Sequence, residues 1–146
     1  MMRIRRILTV AALLCLTGVT GCQRERLPTG PSDLDTGIVI YEDANFRGAS
    51  AHITDDIRDL ANVRGPCEHY ESTSDGGGRY TYDWNDCVSS VRVAPGWTAT
   101  LYRDDGYRDD ALDITDDVPN LQLITQHDCP KDGLNDCVTS IRVRRR

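Results

Sequence analysis

Apolar and polar residues alternate with a period of two wherever this chain shows a period at all. Trp97-Thr98-Ala99-Thr100-Leu101-Tyr102 alternates along its length, and so does Val91-Arg92-Val93; one face of each stretch is thereby placed inside and the other in water. Ile38-Val39-Ile40-Tyr41 is a run of β-branched and aromatic side chains, the composition of a strand. No stretch holds a helical period for more than a turn or two. The pattern predicts about four short strands in each half of the chain, the arithmetic of an all-β, two-sheet sandwich with Greek-key connections. Its core is expected to take Val91, Val93, Trp97, Leu101, Leu112, Ile114, Ile141 and Val143.

The two halves are one unit written twice. Tyr41-Glu42-Asp43-Ala44-Asn45-Phe46-Arg47-Gly48 lies over Tyr102-Arg103-Asp104-Asp105-Gly106-Tyr107-Arg108-Asp109, and Ile53-Thr54-Asp55-Asp56-Ile57 over Ile114-Thr115-Asp116-Asp117-Val118. Further on, Asn85-Asp86-Cys87-Val88-Ser89-Ser90-Val91-Arg92-Val93 returns as Asn135-Asp136-Cys137-Val138-Thr139-Ser140-Ile141-Arg142-Val143. The offset is 61 residues from Tyr41 to Tyr102 but 50 from Asn85 to Asn135, so the first copy holds 11 extra residues between Leu60 and Trp84. That insertion includes Ser72-Thr73-Ser74-Asp75-Gly76-Gly77-Gly78, a flexible loop by composition.

The first 37 residues belong to a different kind of segment. Met1 to Arg6 carries three arginines, Ile7 to Leu16 is a short apolar run, and Val19-Thr20-Gly21-Cys22 ends it. This is the layout of an export signal over residues 1–21, too short in its apolar part to span a membrane. Its end resembles a bacterial lipobox, which implies lipidation of Cys22 and an extracytoplasmic, membrane-anchored lipoprotein; an ordinary secretory signal is the alternative. Residues 22–37, with Pro28, Gly30, Pro31 and Gly37 among charged residues, read as a flexible tether to a domain over 38–146, its repeats at 38–93 and 97–143. The whole chain has net charge −6; losing residues 1–21 removes three arginines and no acid, leaving −9. Nucleic acid, which demands a basic footprint, is excluded as a partner. The terminal Arg144-Arg145-Arg146 reads as a solvated tail.

Four cysteines remain in the domain, and an even number in an exported chain reads as disulfides. Each copy has one cysteine in its Asn-Asp-Cys turn and one in the loop before it. Internal symmetry favours Cys67–Cys87 and Cys129–Cys137 over the other pairings, among them Cys87–Cys137. The absence of a Cys-x-x-Cys pair and the scatter of His52, His69 and His127 argue against zinc.

The repeated turn is the candidate chemistry. Each copy packs an amide, a carboxylate and two hydroxyls into six residues, and a hard cation such as Ca²⁺ takes six to eight oxygens. A pair of Asx-turns leading into equivalent strands would use the same residues for local reasons alone. Tyr41-x4-Phe46-x-Gly48 with the later Ser90 resembles the Greek-key signature of the βγ-crystallins. Asn85-Asp86-Cys87-Val88-Ser89-Ser90 and its second copy resemble that family's calcium motif, N/D-N/D-x-x-S/T-S. The resemblance spans Ile38 to Val143 and implies a βγ-crystallin-like sandwich of two Greek keys, with two Ca²⁺ ions bound jointly by both copies. It implies hydroxyl ligands from Ser89 and Thr139 and backbone carbonyls from Cys87 and Cys137. It also implies carboxylates of Asp86 and Asp136 reaching across to the other copy's site, and hairpin carbonyls from Glu42 and Arg103. Ser90 and Ser140 would tie each turn to its hairpin. The second copy departs from the pattern in placing Asp109 where the family has glycine, at a position that favours positive φ.

These readings define a lipid-anchored calcium-binding module. The alternative is a secreted proteinase inhibitor or toxin-like binding protein on the same scaffold, with the Cys67–Gly78 segment as contact loop; exposed Tyr70 and Tyr80 would favour it. An enzyme is not expected, since no nucleophile elbow or His-Glu helix signature occurs. Asp55-Asp56 and Asp116-Asp117 read as turn and solvation residues, and His52 and His127 as surface residues.

Overall fold

A computed structural model describes residues 34–125, 129 and 133–146. The signal of residues 1–21, Cys22, all but the end of the tether, and His127 lie outside the described residues. The strands are β1 (Ile38–Asp43), β2 (Arg47–Ile53), β3 (Arg64–Ser72), β4 (Gly78–Asp83), β5 (Ser90–Val93), β6 (Trp97–Asp104), β7 (Arg108–Ile114) and β8 (Ser140–Arg145). They form antiparallel sheets in the orders β2-β1-β5 and β7-β6-β8, with β3-β4 as a separate hairpin. The count of eight strands agrees with the alternation, but their distribution does not. Among the described residues the first copy supplies five and the second three. The fourth place in each main sheet is a single bridge lent by the other copy.

Those bridges are reciprocal. Ile57 of the first copy exchanges backbone hydrogen bonds with Ile141 of the second at 2.8 and 2.9 Å, and Val118 does the same with Val91 at 2.8 and 2.9 Å. Single residues between turns give no periodicity to read, which is why the alternation could not place them. Two short 3-10 turns, Leu60–Asn62 and Leu121–Leu123, follow the bridges, each started by a side chain: Asp59 accepts from Ala61 N–H and Asn120 from Gln122 N–H, both at 2.9 Å.

The core lies between the two main sheets. Ile38, Ile40, Ile53, Val91, Leu101, Ile114, Ile141 and Val143 form its sheet faces, and Leu60, Leu121, Val88, Val138, Trp84 and Leu134 fill it from the loops. Val93, Trp97 and Leu112, expected in the core, are only partly buried and pack against its rim. The loop contributors were missed because only strand positions carry the period-two signal. The insertion is also not a structureless loop. Residues 64–83 form the β3–β4 hairpin, whose tip closes with Thr73 N–H to Gly77 O at 2.9 Å and Gly76 N–H to Thr73 O at 3.1 Å.

Two charged features refine the reading of acids and tail. Asp55 and Asp116 do sit in turns, accepting from Thr54 and Thr115 hydroxyls at 2.9 and 2.7 Å. Asp56 instead accepts from Val143 N–H at 3.0 Å and from both terminal nitrogens of Arg144, and Asp117 accepts from Val93 N–H at 2.8 Å. Each acid thus caps the last strand of the opposite copy. Arg146 likewise donates its N–H to Gly96 O and its side chain to Thr115 O, both at 2.8 Å. The C-terminal arginines are solvated, as expected, but Arg144 and Arg146 are also bonded to the fold.

The Arg144 hydrogen bond holds the Asp56 carboxyl below the usual carboxylate range, more than offsetting partial burial. A depressed carboxyl contributes stability above its unfolded pKa and loses it as pH falls through the folded value. Asp56→Asn should therefore lower stability by about 1 kcal/mol at neutral pH, and urea melts should show the difference closing below pH 4, the ordinary Asp range.

Candidate metal centre

Local sequence builds each half of the site in the same way. In the first copy Tyr41 and Phe46 fold edge to face, with ring centroids 5.8 Å apart. The buried Ser90 hydroxyl donates to Asp43 O at 2.6 Å and accepts from Phe46 N–H at 3.0 Å. The second copy repeats this with Tyr102 and Tyr107 at 5.8 Å and Ser140 on Asp104 O and Tyr107 N–H at 2.6 and 3.0 Å. Both serines fasten a folded hairpin to the end of its ligand turn, the part expected of them. Ser89 N–H then donates to Tyr41 O and Thr139 N–H to Tyr102 O, both at 2.9 Å. Each hydroxyl residue is thereby seated beside the hairpin residue that follows, Glu42 or Arg103.

The strand register shifts between Tyr41 and Asp43 and between Tyr102 and Asp104. Glu42 and Arg103 are therefore bulge residues, where the backbone leaves the regular ladder and can aim a carbonyl elsewhere. Their side chains are engaged within the hairpins. Glu42 Oε2 accepts from Ala49 N–H at 3.1 Å, and Arg103 Nε lies 3.1 Å from Asp109 Oδ2. Asp109 takes φ of 62°, close to the 74° of Gly48, so the hairpin keeps its shape without glycine. A β-carbon on Gly48 would come within 2.9 Å of Asp43 Oδ2 and 3.1 Å of Glu42 Oε2. Glutamate over glycine in one copy is thus replaced by arginine paired with aspartate in the other.

The two turns meet by exchange. Asp86 N–H donates to Val138 O at 3.2 Å and Asp136 N–H to Val88 O at 3.3 Å. Each aspartate sits at positive φ, 47° and 52°, which turns its side chain toward the other copy. The preceding asparagine amides hold one carboxylate oxygen each: Asn85 Nδ2 to Asp86 Oδ2 at 2.9 Å and Asn135 Nδ2 to Asp136 Oδ2 at 2.6 Å. The other oxygen faces a hydroxyl across the dyad. Asp136 Oδ1 is 3.4 Å from Ser89 Oγ, and Asp86 Oδ1 is 3.4 Å from Thr139 Oγ1.

That spacing is informative. Both contacts are long hydrogen bonds, beyond the roughly 2.5–2.7 Å of a hydroxyl closed onto a carboxylate. Two oxygens each 2.3–2.6 Å from one Ca²⁺ and at right angles are about 3.3–3.7 Å apart. The facing side-chain donors are oxygen alone, one carboxylate and one hydroxyl at each place, the chemistry a hard cation takes. Among the described residues no three His, Cys, Asp or Glu side chains cluster to hold a metal ion, so any cation here would draw mainly on hydroxyl and backbone oxygens. The Cys87 and Cys137 side chains are in disulfides with Cys67 and Cys129, the pairing favoured by symmetry, so only their carbonyls are available to a cation. Cys67–Cys87 anchors the first turn to strand β3, and Cys129–Cys137 anchors the second turn to the segment before it.

Asp83 has no place in the sequence analysis, and His69 enters it only in the argument against zinc. Asp83 is buried, accepts from Asn85 N–H at 3.0 Å and Thr81 Oγ1 at 3.1 Å, and lies 3.2 Å from His69 Nε2. It braces the first turn only; the equivalent position in the second copy is Gly133 at φ of 63°. A repeat-based search passes over such unshared residues.

The paired Greek keys and their crossed turns define a βγ-crystallin-like domain. Two solved structures show the same fold: one from work on the evolution of the eye-lens βγ-crystallin domain, with TM-score 0.53, 24% identity and coverage of 77% of this chain and 88% of that one; the other the βγ-crystallin of Ciona intestinalis, with TM-score 0.50, 22% identity and coverage of 74% and 99%. Spherulin-3A of Physarum polycephalum is 26% identical over 106 residues, 73% of this chain and 80% of its own. The chain belongs to peptidase inhibitor family I36, whose model matches residues 38–114, more than half of its length.

Burial pushes the Asp86 carboxyl above the usual carboxylate range, with the Thr139 hydroxyl pulling the other way. Without a cation, the ionised form therefore costs stability, and the cost falls away as pH drops through the raised folded value. In chelator-treated protein, Asp86→Asn should be more stable than the wild type at pH 7, and thermal melts should show that advantage shrinking toward pH 4, near the ordinary Asp value.

Proposed function

We propose that the domain is a calcium-binding module in which two ions are held jointly by the two copies and stabilise the fold. The observation that carries this reading is the equal 3.4 Å spacing of Ser89 Oγ from Asp136 Oδ1 and of Thr139 Oγ1 from Asp86 Oδ1. One ion takes Ser89, Asp136 and the Glu42 carbonyl; the other takes Thr139, Asp86 and the Arg103 carbonyl; the Cys87 and Cys137 carbonyls complete the protein ligands. Calcium supplies a charge that neutralises the facing carboxylates and cross-links the turns. One carboxylate for each ion points to modest affinity, micromolar to millimolar. The module is tethered on the extracytoplasmic side through lipid on Cys22. Two disulfides accord with an oxidising compartment, and among the described residues no helix is long and apolar enough to cross a membrane.

A second reading draws on family membership: the chain inhibits a peptidase, with calcium serving its scaffold. The β3–β4 hairpin favours it, because Tyr70 and Tyr80 are exposed on an ordered element.

Isothermal titration should find two calcium ions for each chain. At a hundredfold excess over Kd each ion should add about 2.7 kcal/mol to stability, read as a rise in Tm that EDTA reverses. Asp136→Ala should abolish the ion shared with Ser89, and Asp86→Ala the one shared with Thr139. No calcium-dependent change in Tm, with disulfides intact, would sink the reading.

A further inference from the structure

Among the described residues the β3–β4 hairpin has no counterpart in the second copy, so neither the pseudo-symmetry nor the core explains it. Its register pairs Tyr70 with Tyr80 and Glu68 with Tyr82, and pairs Glu71 with Arg79 and His69 with Thr81. Alternation along strands then separates two faces. One carries Glu68, Tyr70, Tyr80 and Tyr82; the other carries the Glu71–Arg79 ion pair at 2.7 Å and the His69–Asp83 contact. The three tyrosines are 59, 62 and 51% exposed. Among the described residues the only other large apolar side chain so exposed is Leu123.

The tyrosines are exposed yet held. Tyr70 and Tyr80 rings pack with centroids 5.2 Å apart, and the Tyr82 hydroxyl bonds the Glu68 carboxylate. Tyr70 lies over Gly78 so closely that a β-carbon there would collide with its ring. The tip is closed by Asp75, which accepts from Gly77 N–H at 3.2 Å and from the Thr73 hydroxyl. The base is fixed by Cys67–Cys87 and by Trp84 N–H on Val63 O at 3.1 Å. Ordering costs that a binding loop would meet on association are thus largely met in the free chain. Tyrosines on a hairpin with a Ser/Thr/Gly tip form the composition of a protein-binding paratope. The Tyr70 and Tyr80 rings are tilted by 59°, an uneven relief that suits the mouth of a folded protein. Glu68 beside the stripe, on a chain of net charge −6, complements a basic rim.

We propose that this tyrosine face is the docking surface for a secreted peptidase with an apolar cleft and a basic rim. The proposal rests on the inhibitor reading, and the family match at residues 38–114 takes in the whole hairpin. The test uses the full chain, disulfides intact, against a panel of secreted metallo-, serine and cysteine peptidases with short fluorogenic substrates. Wild type should inhibit at least one. Tyr70→Ala/Tyr80→Ala/Tyr82→Ala should raise the inhibition constant by about 100-fold or more, as loss of clustered aromatic anchors does. Its Tm response to calcium should stay unchanged, and Leu123→Ala should have no effect. Gly78→Ala, which displaces Tyr70 without removing it, should weaken inhibition by a smaller factor. Inhibition that survives in the triple variant overturns the docking surface and leaves the inhibitor reading standing. No inhibition across the panel overturns both. A dimer of the wild type in sedimentation that the triple variant dissolves assigns the face to a second copy and also overturns the proposal.

Discussion

The constraint on which this molecule depends is reciprocal exchange between its two copies. Asp86 bonds Val138, Asp136 bonds Val88, Ile57 completes the sheet that ends in Ile141, and Val118 completes the one that holds Val91. Leu60 and Leu121 add the same crossing through the carbonyls of Thr139 and Ser89, at 2.8 and 2.9 Å. Neither copy is a closed structure by itself. Each leaves a sheet edge that only the other fills, an edge that water would otherwise have to satisfy.

The ligand turns inherit their geometry from that exchange. A backbone that carries Asp86 to Val138 necessarily sets its carboxylate near Thr139, one residue on. The hairpin on the other side, pinned by Ser90 or Ser140, delivers a bulge residue to the same place. A cation at either position would join the copies where they already cross and so couple binding to folding. The disulfides act outward from this point: Cys67–Cys87 ties the first turn to the inserted hairpin, and Cys129–Cys137 ties the second turn to its own loop. The first bridge is also the covalent link between the first Asn-Asp-Cys turn and the tyrosine face.

Much of the fold is legible in the sequence. The duplicated Asn-Asp-Cys turn, the aromatic hairpins and the serines that pin them carry strong local signals, and symmetry selects the cysteine pairing. What the sequence concealed has three physical sources. Single-residue bridges at Ile57 and Val118 have no period, so five strands and three were read as four and four. Core residues in loops, such as Leu60, Val88 and Leu134, show no alternation, whereas Trp97 and Leu112 alternate well but end at the rim. Charges that cap a distant strand, Asp56 on Val143 or Arg146 on Gly96, look like solvated residues because their partners lie far along the chain. The inserted hairpin was hidden by its Gly/Ser tip, which is a turn closed by Asp75 between two paired strands.

The central claim is that the crossed oxygens are edges of two coordination shells. A crystal grown in calcium tests it most directly. The account predicts two anomalous peaks, one bounded by Ser89 and Asp136 and one by Thr139 and Asp86, each within calcium–oxygen distance of its hydroxyl and carboxylate. Empty density there, with the hydroxyls closed onto the carboxylates as ordinary hydrogen bonds, would contradict it.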